Sequence, residues 1–266
     1  MRHFELQYQD LVRDILINGE MRKTRNGIVR SIFGASITLD LAQGFPILNG
    51  RKVFYEGVLG EFCAMVRGPK NILDFKKFKC NYWDLWANKN GDLNLDYGNL
   101  WKDFNGINQI ENVINSIKNN PTDRRMIVSG WEPGHIPSLS LPCCHYAYQW
   151  YVRDIEGVKK LDMLWHQRST DVMIGLPSDM VFAAIWLIAM ASYTDIKPGR
   201  IIMTLGDSHI YGEHFSGAYK YLDIIKCLRA VEWEFNKPKN FFEILPEDFQ
   251  LIGYNPKEVI KFKLKE

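Results

Sequence analysis

The sequence predicts a single α+β domain over residues 1–266, and three observations carry that expectation. Apolar residues at helical spacing are interspersed with short runs that alternate or are continuously apolar, as strands do. No repeat, low-complexity tract or linker divides the chain. Its 266 residues, 46% hydrophobic and 24% charged, suffice for one large core.

The elements follow in order. Phe4, Tyr8, Leu11, Val12, Ile15 and Leu16 recur at helical spacing, and Asn18-Gly19 ends that helix. Residues 20–30 read as a polar loop, with Arg22, Lys23, Arg25 and Arg30 around Asn26-Gly27. Basic residues around a glycine turn either wrap a phosphate or form a solvated loop. A strand is expected over residues 31–41, followed by a turn at Gly44-Phe45-Pro46. A second helix covers residues 54–67, with Phe54, Val58, Leu59, Phe62 and Val66 on one face. Glu61 sits beside Phe62, either a surface acid or a carboxylate turned into a cleft. Trp83 and Trp86, three residues apart, are core or the aromatic wall of a flat ligand.

Ile107, Ile110, Val113, Ile114 and Ile117 mark a third helix, stopped by Asn119-Asn120-Pro121. Arg124-Arg125 precedes a strand at 126–131, and 161–166 is another strand, running into Gln167-Arg168-Ser169-Thr170-Asp171. Gly175-Leu176-Pro177-Ser178-Asp179 opens a nearly all-apolar helix to Tyr193, so that helix is expected to be buried. Ser178 or Asp179 would cap it. A buried strand at 201–205 leads into Gly206-Asp207-Ser208-His209-Ile210-Tyr211, a helix is expected over 213–228, and residues 259–264 alternate like an exposed edge strand.

At the centre lies Leu141-Pro142-Cys143-Cys144-His145, a loop because Pro142 cannot donate to a ladder. Tyr146, Tyr148, Trp150 and Val152 then alternate with Ala147, Gln149 and Tyr151, favouring strand. A cysteine at that junction is placed to meet a substrate, or is a small buried hydrophobe.

Composition narrows the function classes. A net charge of +2 does not argue for nucleic acid or membrane. Five scattered cysteines suit a reducing compartment, and no spacing resembles a zinc site, so no metal is expected. The first ten residues do not form a signal peptide, and the longest apolar run, 180–191, is too short to span a bilayer. A cytoplasmic protein is the expectation.

Together these segments resemble the thymidylate synthase family, in the same order along most of the chain. The carriers are Glu61, Tyr82-Trp83-Asp84-Leu85-Trp86-Ala87, Tyr97-Gly98, Arg124-Arg125 and Leu141-Pro142-Cys143-Cys144-His145. They continue with Gln167-Arg168-Ser169-Thr170-Asp171, Gly175-Leu176-Pro177 and Gly206-Asp207-Ser208-His209-Ile210-Tyr211. The resemblance implies a large twisted mixed sheet with flanking helices, paired as a homodimer through the sheets. It implies one-carbon transfer from 5,10-methylenetetrahydrofolate to C5 of a pyrimidine deoxynucleotide monophosphate. Cys144 would be the nucleophile attacking C6, its thiol lowered by positive charge from Arg168. Cys143 stands where the family commonly has a second proline.

The resemblance also assigns the phosphate to Arg168 and Ser169, with Arg124 and Arg125 reaching in from the other subunit. Arg25 completes that set, with Arg22 the alternative, because residues 23–30 depart from the family's Gly- and Thr-rich loop. Gln167 joins the substrate residues. His209 and Tyr211 match those holding the sugar 3′-hydroxyl. Trp83, Trp86, Asp171 and Gly175 match the folate side, and Glu61 the carboxylate organising water and protons. A non-catalytic nucleotide- or RNA-binding descendant would lack Cys144, Glu61 or a phosphate arginine, and all are present.

One departure bears on the substrate. Thymidylate synthases read the base with Asn, where this chain has Asp179, and Ser178 replaces the usual aromatic. An amide matches the O4 acceptor and N3–H donor of uracil, whereas a carboxylate would face O4 with like polarity. Cytosine offers a 4-amino donor beside an N3 acceptor, which a carboxyl sharing its proton with N3 satisfies. The change resembles that of deoxycytidylate hydroxymethylases, the bacteriophage relatives, so dCMP with water addition is expected. The alternatives are methylation of dCMP and ordinary thymidylate synthesis. The end Phe262-Lys263-Leu264-Lys265-Glu266 is charged, unlike the family's apolar tail, and a looser lid would admit water. Neither membrane nor direct nucleic-acid binding is expected.

Overall fold

The computed structural model describes residues 1–224 and 228–265. In chain order its helices are α1 (Phe4–Asn18), α2 (Tyr55–Met65), α3 (Ile72–Lys76), α4 (Asn99–Lys102), α5 (Gln109–Asn119), α6 (Gly175–Tyr193) and α7 (Phe215–Asp223). Its strands are β1 (Glu20–Thr24), β2 (Gly27–Asp40), β3 (Ile127–Ser129), β4 (His145–Ile155), β5 (Val158–Asp171), β6 (Lys197–Tyr211), β7 (Glu232–Phe235) and β8 (Phe249–Ile252). A mixed six-stranded sheet in the order β1-β2-β6-β5-β4-β3 forms the body, and β7 pairs β8 separately. The expected α+β architecture is therefore observed.

Neighbouring strands of the large sheet run antiparallel except β5 and β6, which are parallel. Parallel neighbours need a crossover, and α6 supplies it, packed on both strands and on α2. Because α6 is apolar on every side, it is buried between the sheet and α2. By length and composition α6 passes for a membrane span, yet 78% of it is buried inside the protein. On the same side α1 covers β2 and β6. The other face of the sheet leaves Phe33 88% exposed.

Local chemistry sets the joints. Glu156 and Gly157 both take positive φ, 52° and 82°, giving the tight β4–β5 hairpin. At the other end of β4 the register shifts between His145 and Ala147. This bulge bends the strand where Cys144 enters it. Gly206 is required by close approach, since a Cβ there would meet the Arg168 carbonyl of β5.

Four expectations are corrected. Residues 20–30 are not a solvated loop. They form β1 and the start of β2, an exposed charged edge hairpin whose turn is only Arg25-Asn26. Ser178 and Asp179 do not cap α6, which begins earlier. Asp171 Oδ1 instead accepts from the backbone N–H of Met173 (2.8 Å) and Ile174 (3.2 Å), while Ser178 Oγ donates to the Ile174 carbonyl at 3.2 Å. The helix expected over 213–228 splits into a turn at Gly212–His214 and α7, and residues 225–227 lie outside the description. Residues 259–264 pair with no strand, although their alternation is real: Ile260 and Phe262 turn inward and Lys261 and Lys263 outward.

Candidate active site

A cleft of about 960 Å³ opens where β4, β5 and β6 end beside the start of α6. Its lining gathers Arg25, Glu61, Trp83, Trp86, Cys144, Gln167, Arg168, Ser169, Asp171, Gly175, Asp179, His209 and Tyr211. Fragments from nearly the whole length of the chain, Thr24 to Lys265, thus meet in one cavity, large enough for two flat ligands side by side.

The strand ladders place the thiol. His145 pairs with Gln167 across β4 and β5, and the Cys144 carbonyl accepts from the Arg168 N–H at 2.8 Å. The Arg168 guanidinium donates to the carbonyls of Cys143 (2.8 Å) and Pro142 (3.0 Å), clamping the loop that carries the cysteine. Tyr97, buried beneath, accepts the Cys144 N–H through its hydroxyl. The expected low thiol pKa is not found. Burial pushes the Cys144 thiol up, outweighing the opposing pull of Arg168, Tyr97 and Arg25. Cys143 is buried, and burial pushes its thiol up as well.

Two carboxyls face the thiol end of the cleft. Asp179 Oδ2 accepts from Gln167 Nε2 at 2.6 Å, and Gln167 Oε1 accepts from Trp165 Nε1 at 3.1 Å. Those bonds fix which end of the Gln167 amide meets Asp179. Burial raises Asp179 to about 7, against the Gln167 bond and with help from Asp171. Glu61 is likewise raised to about 7 by burial, opposed by the 2.8 Å bond from Trp83 Nε1. Both groups are therefore poised to hold or release a proton near neutrality. His145 Nε2 lies 3.9 Å from Asp179 Oδ1, but burial drives the imidazole down to about 3, so it stays neutral.

On β6, Asp207, His209 and Tyr211 alternate and share one face. Asp207 Oδ1 meets His209 Nδ1 at 3.0 Å, and its Oδ2 holds Arg22 at 2.7 Å. Arg22 is thus engaged outside the cleft lining, whereas Arg25 at the hairpin tip lines the cleft. Arg124 and Arg125 do not line it. Both are exposed on the far side of β3, and Arg125 pairs with Asp123 at 3.0 Å.

Another part of the cleft presents a flat aromatic wall. Trp83, 5% exposed, is core on one side, stacked on Phe75 at 5.5 Å, and cleft wall on the other. Trp86 stands 5.6 Å from it, and the Asp171 carboxylate opens into the same space. Those groups offer flat apolar faces and a carboxylate acceptor to an occupant of the cleft. No group of three metal-ligating side chains occurs among the described residues.

Several lining residues were not picked out in the sequence as site residues: Asn26, Arg51, Tyr97, His145, Asp207 and the tail at Ile260, Phe262, Leu264 and Lys265. Asp207 carried a signal in its alternation with His209 and Tyr211. The tail carried its alternation of Ile260, Phe262 and Leu264, but only packing shows that this face lines the cleft. It is not a loose lid: Phe262 packs on His214 at 5.2 Å and under the Arg51 guanidinium at 5.1 Å, and Lys265 Nζ meets Glu213 at 2.7 Å.

Comparison with known proteins agrees with this geometry. A family model described as thymidylate synthase matches residues 6–266. A thymidylate synthase of Buchnera aphidicola subsp. Schizaphis graminum (strain Sg) is 37% identical over 264 residues, covering 97% of this chain and 98% of that one.

Proposed function

This chain belongs to the thymidylate synthase family, and from that premise we propose that it hydroxymethylates C5 of dCMP. Family membership makes it a folate-dependent one-carbon transferase acting at C5 of a nucleotide base, with methylenetetrahydrofolate as co-substrate. The finer reading rests on Asp179, a largely enclosed carboxyl, 17% exposed, that burial raises to about 7 at the thiol end of the cleft.

Asp179 with its proton donates to cytosine N3, while its other oxygen accepts from the 4-amino group. Against uracil the ionised carboxylate has no donor for O4. In the neutral form the Gln167 bond to Oδ2 keeps the proton on Oδ1, so with Oδ1 toward N3 the donor and acceptor cannot trade places to match uracil; such buried mismatches discriminate by roughly 10⁴. Gln167 holds the carboxyl in place through its 2.6 Å bond. As the Cys144 sulfur bonds to C6, electron density moves toward N3, and the Asp179 proton neutralises it. Arg168 favours the thiolate, and a bound phosphate dianion shared with Arg25 and Ser169 anchors the nucleotide beside it. His209 and Tyr211 hold the sugar. The folate supplies the one-carbon unit to C5, with Trp83, Trp86, Asp171 and Gly175 on its side of the cleft. Glu61, poised near neutrality, takes the C5 proton through water as the bond from the transferred methylene to the folate nitrogen breaks, which releases tetrahydrofolate and leaves an exocyclic methylene on C5. Water then adds to the exocyclic methylene on the ring, and Cys144 departs from C6. Arg124 and Arg125, exposed and turned away from their own cleft, are assigned to the neighbouring subunit's phosphate in a homodimer.

A second reading, hydride transfer to give a methylated base, is favoured by two observations. The tail is docked along the cleft, and Trp83 is retained beside Glu61. The relative named thymidylate synthase stands on the same side.

The base assignment is tested by titrating the Cys144→Ala protein with dCMP and with dUMP between pH 6 and 8.5. Tighter binding of dCMP, weakening as pH rises through about 7, is expected because the donor is the protonated Asp179. Preference for dUMP at every pH would overturn the assignment.

A further inference from the structure

The turn after β6 makes a contact that none of the steps above uses. His214, 1% exposed, donates from Nε2 to the Lys263 backbone carbonyl at 2.9 Å. A carbonyl only accepts, so this bond fixes the proton on Nε2. The other ring nitrogen, Nδ1, has no hydrogen-bond partner among the described residues and faces Asp171 Oδ2 at 3.8 Å. The ring packs edge-on to Phe262 at 5.2 Å and to Tyr211 at 5.6 Å. Phe262 itself fills the space above Gly217, where a Cβ would run into it.

Asp171 is therefore held from two directions. Its Oδ1 is committed to the backbone at the start of α6, which sets the position of the carboxyl but leaves its rotation open. Nδ1, left with only its lone pair, repels Oδ2 at 3.8 Å and so limits that rotation, and the ring is itself placed by a carbonyl of the tail. We infer that His214 is a positioning residue that ties the docked C-terminal tail to Asp171, aligning the carboxylate for folate only while the tail is seated. The inference rests on the reading that Asp171 contacts the folate. It assigns the tail a role through a specific ring rather than as a passive cover.

Two substitutions divide the link. His214→Gln keeps a donor at the reach of Nε2 and loses the nitrogen facing Asp171, whereas His214→Asn keeps the near nitrogen and cannot reach Lys263. The readouts are the dissociation constant of tetrahydrofolate, with dCMP and separately with dUMP present, the dissociation constant of each nucleotide, and the rate at which carboxypeptidase trims the tail. His214→Asn should free the tail to carboxypeptidase and weaken tetrahydrofolate binding about tenfold. His214→Gln should leave the tail protected and still weaken tetrahydrofolate binding, by about three- to tenfold. Nucleotide binding should change by less than about twofold in both. In a chain ending at residue 260, His214→Ala should add almost nothing to the loss already caused by truncation.

Equal weakening of nucleotide and folate, or full additivity of His214→Ala with truncation, would mean a merely structural residue and overturn the inference. Asp171→Ala separates the premises. If it leaves tetrahydrofolate binding unchanged, the folate reading fails and the link fails with it. If it weakens binding while both His214 variants do not, only the link fails.

Discussion

The two ends of the cleft are built differently. At the thiol end, Gln167, Arg168, Asp179, His209 and Tyr211 project from β5, β6 and α6, whose ladders and packing fix each side chain, and Cys144 sits in the loop directly before β4 that Arg168 clamps. At the other end, Trp83 and Trp86 ride on a short turn, and Ile260, Phe262 and Leu264 belong to a segment without ladder partners. Groups on regular elements are held closely, while those on loops and termini owe their positions to docking. On the proposed reading the contrast teaches where each kind of selectivity resides: recognition of the base is preorganised, whereas the folate side is completed by pieces that settle against it.

The sharpest way to break that picture is at the nucleophile. Cys144→Ala should lower turnover by about 10⁴-fold or more while nucleotide binding persists, and single-turnover assays with titration check both. Next comes the base reader. Asp179→Asn should shift the ratio of kcat/KM for dCMP over dUMP by about 10²–10⁴ toward dUMP, measured with both nucleotides in competition.

The same residue sharpens the thermodynamic side. The folded pKa of Asp179 is raised to about 7 from an ordinary 3.8, so folding binds a proton between those values. Stability therefore falls as pH rises from about 4 to 7, and the full cost stands above that window. Asp179→Asn removes the charge and should stabilise the protein at pH 8 by about 2–4 kcal/mol, with little effect at pH 4, by denaturant melts. The dimer assignment is tested by mixing. Protomers carrying both Arg124→Ala and Arg125→Ala, inactive alone, should recover about a quarter of normal activity with Cys144→Ala protomers. Smallest is the tail: Phe262→Ala should raise the KM for methylenetetrahydrofolate about three- to tenfold with nucleotide KM nearly unchanged.

The thiol end was legible in the sequence for the same reason that it is rigid. Tyr148 and Trp150 alternate into the core as strand residues must, and β6 writes Asp207, His209 and Tyr211 at spacing two. The edge hairpin was missed because β1 is exposed along its whole length, so no apolar pattern marks it as a strand. Asp179 resembled a cap because polar residues at a helix start usually are caps, yet α6 starts at Gly175 with no side-chain cap, and Asp171 instead braces the turn just before it. The tail's alternation of Ile260, Phe262 and Leu264 was read as an edge strand. A period of two says which side chains share a face, not whether the backbone finds a ladder. The raised Cys144 thiol was invisible for another reason, since sequence displays the nearby arginine but not the depth of burial opposing it.

The most direct test of the account is mass spectrometry of the product formed from methylenetetrahydrofolate with dCMP, and with dUMP in parallel. The account predicts a gain of CH₂O on dCMP with release of tetrahydrofolate. A gain of CH₂ on dCMP with dihydrofolate would keep the base assignment and replace water by hydride. Turnover of dUMP alone would contradict the central claim, that the buried carboxyl of Asp179 selects cytosine.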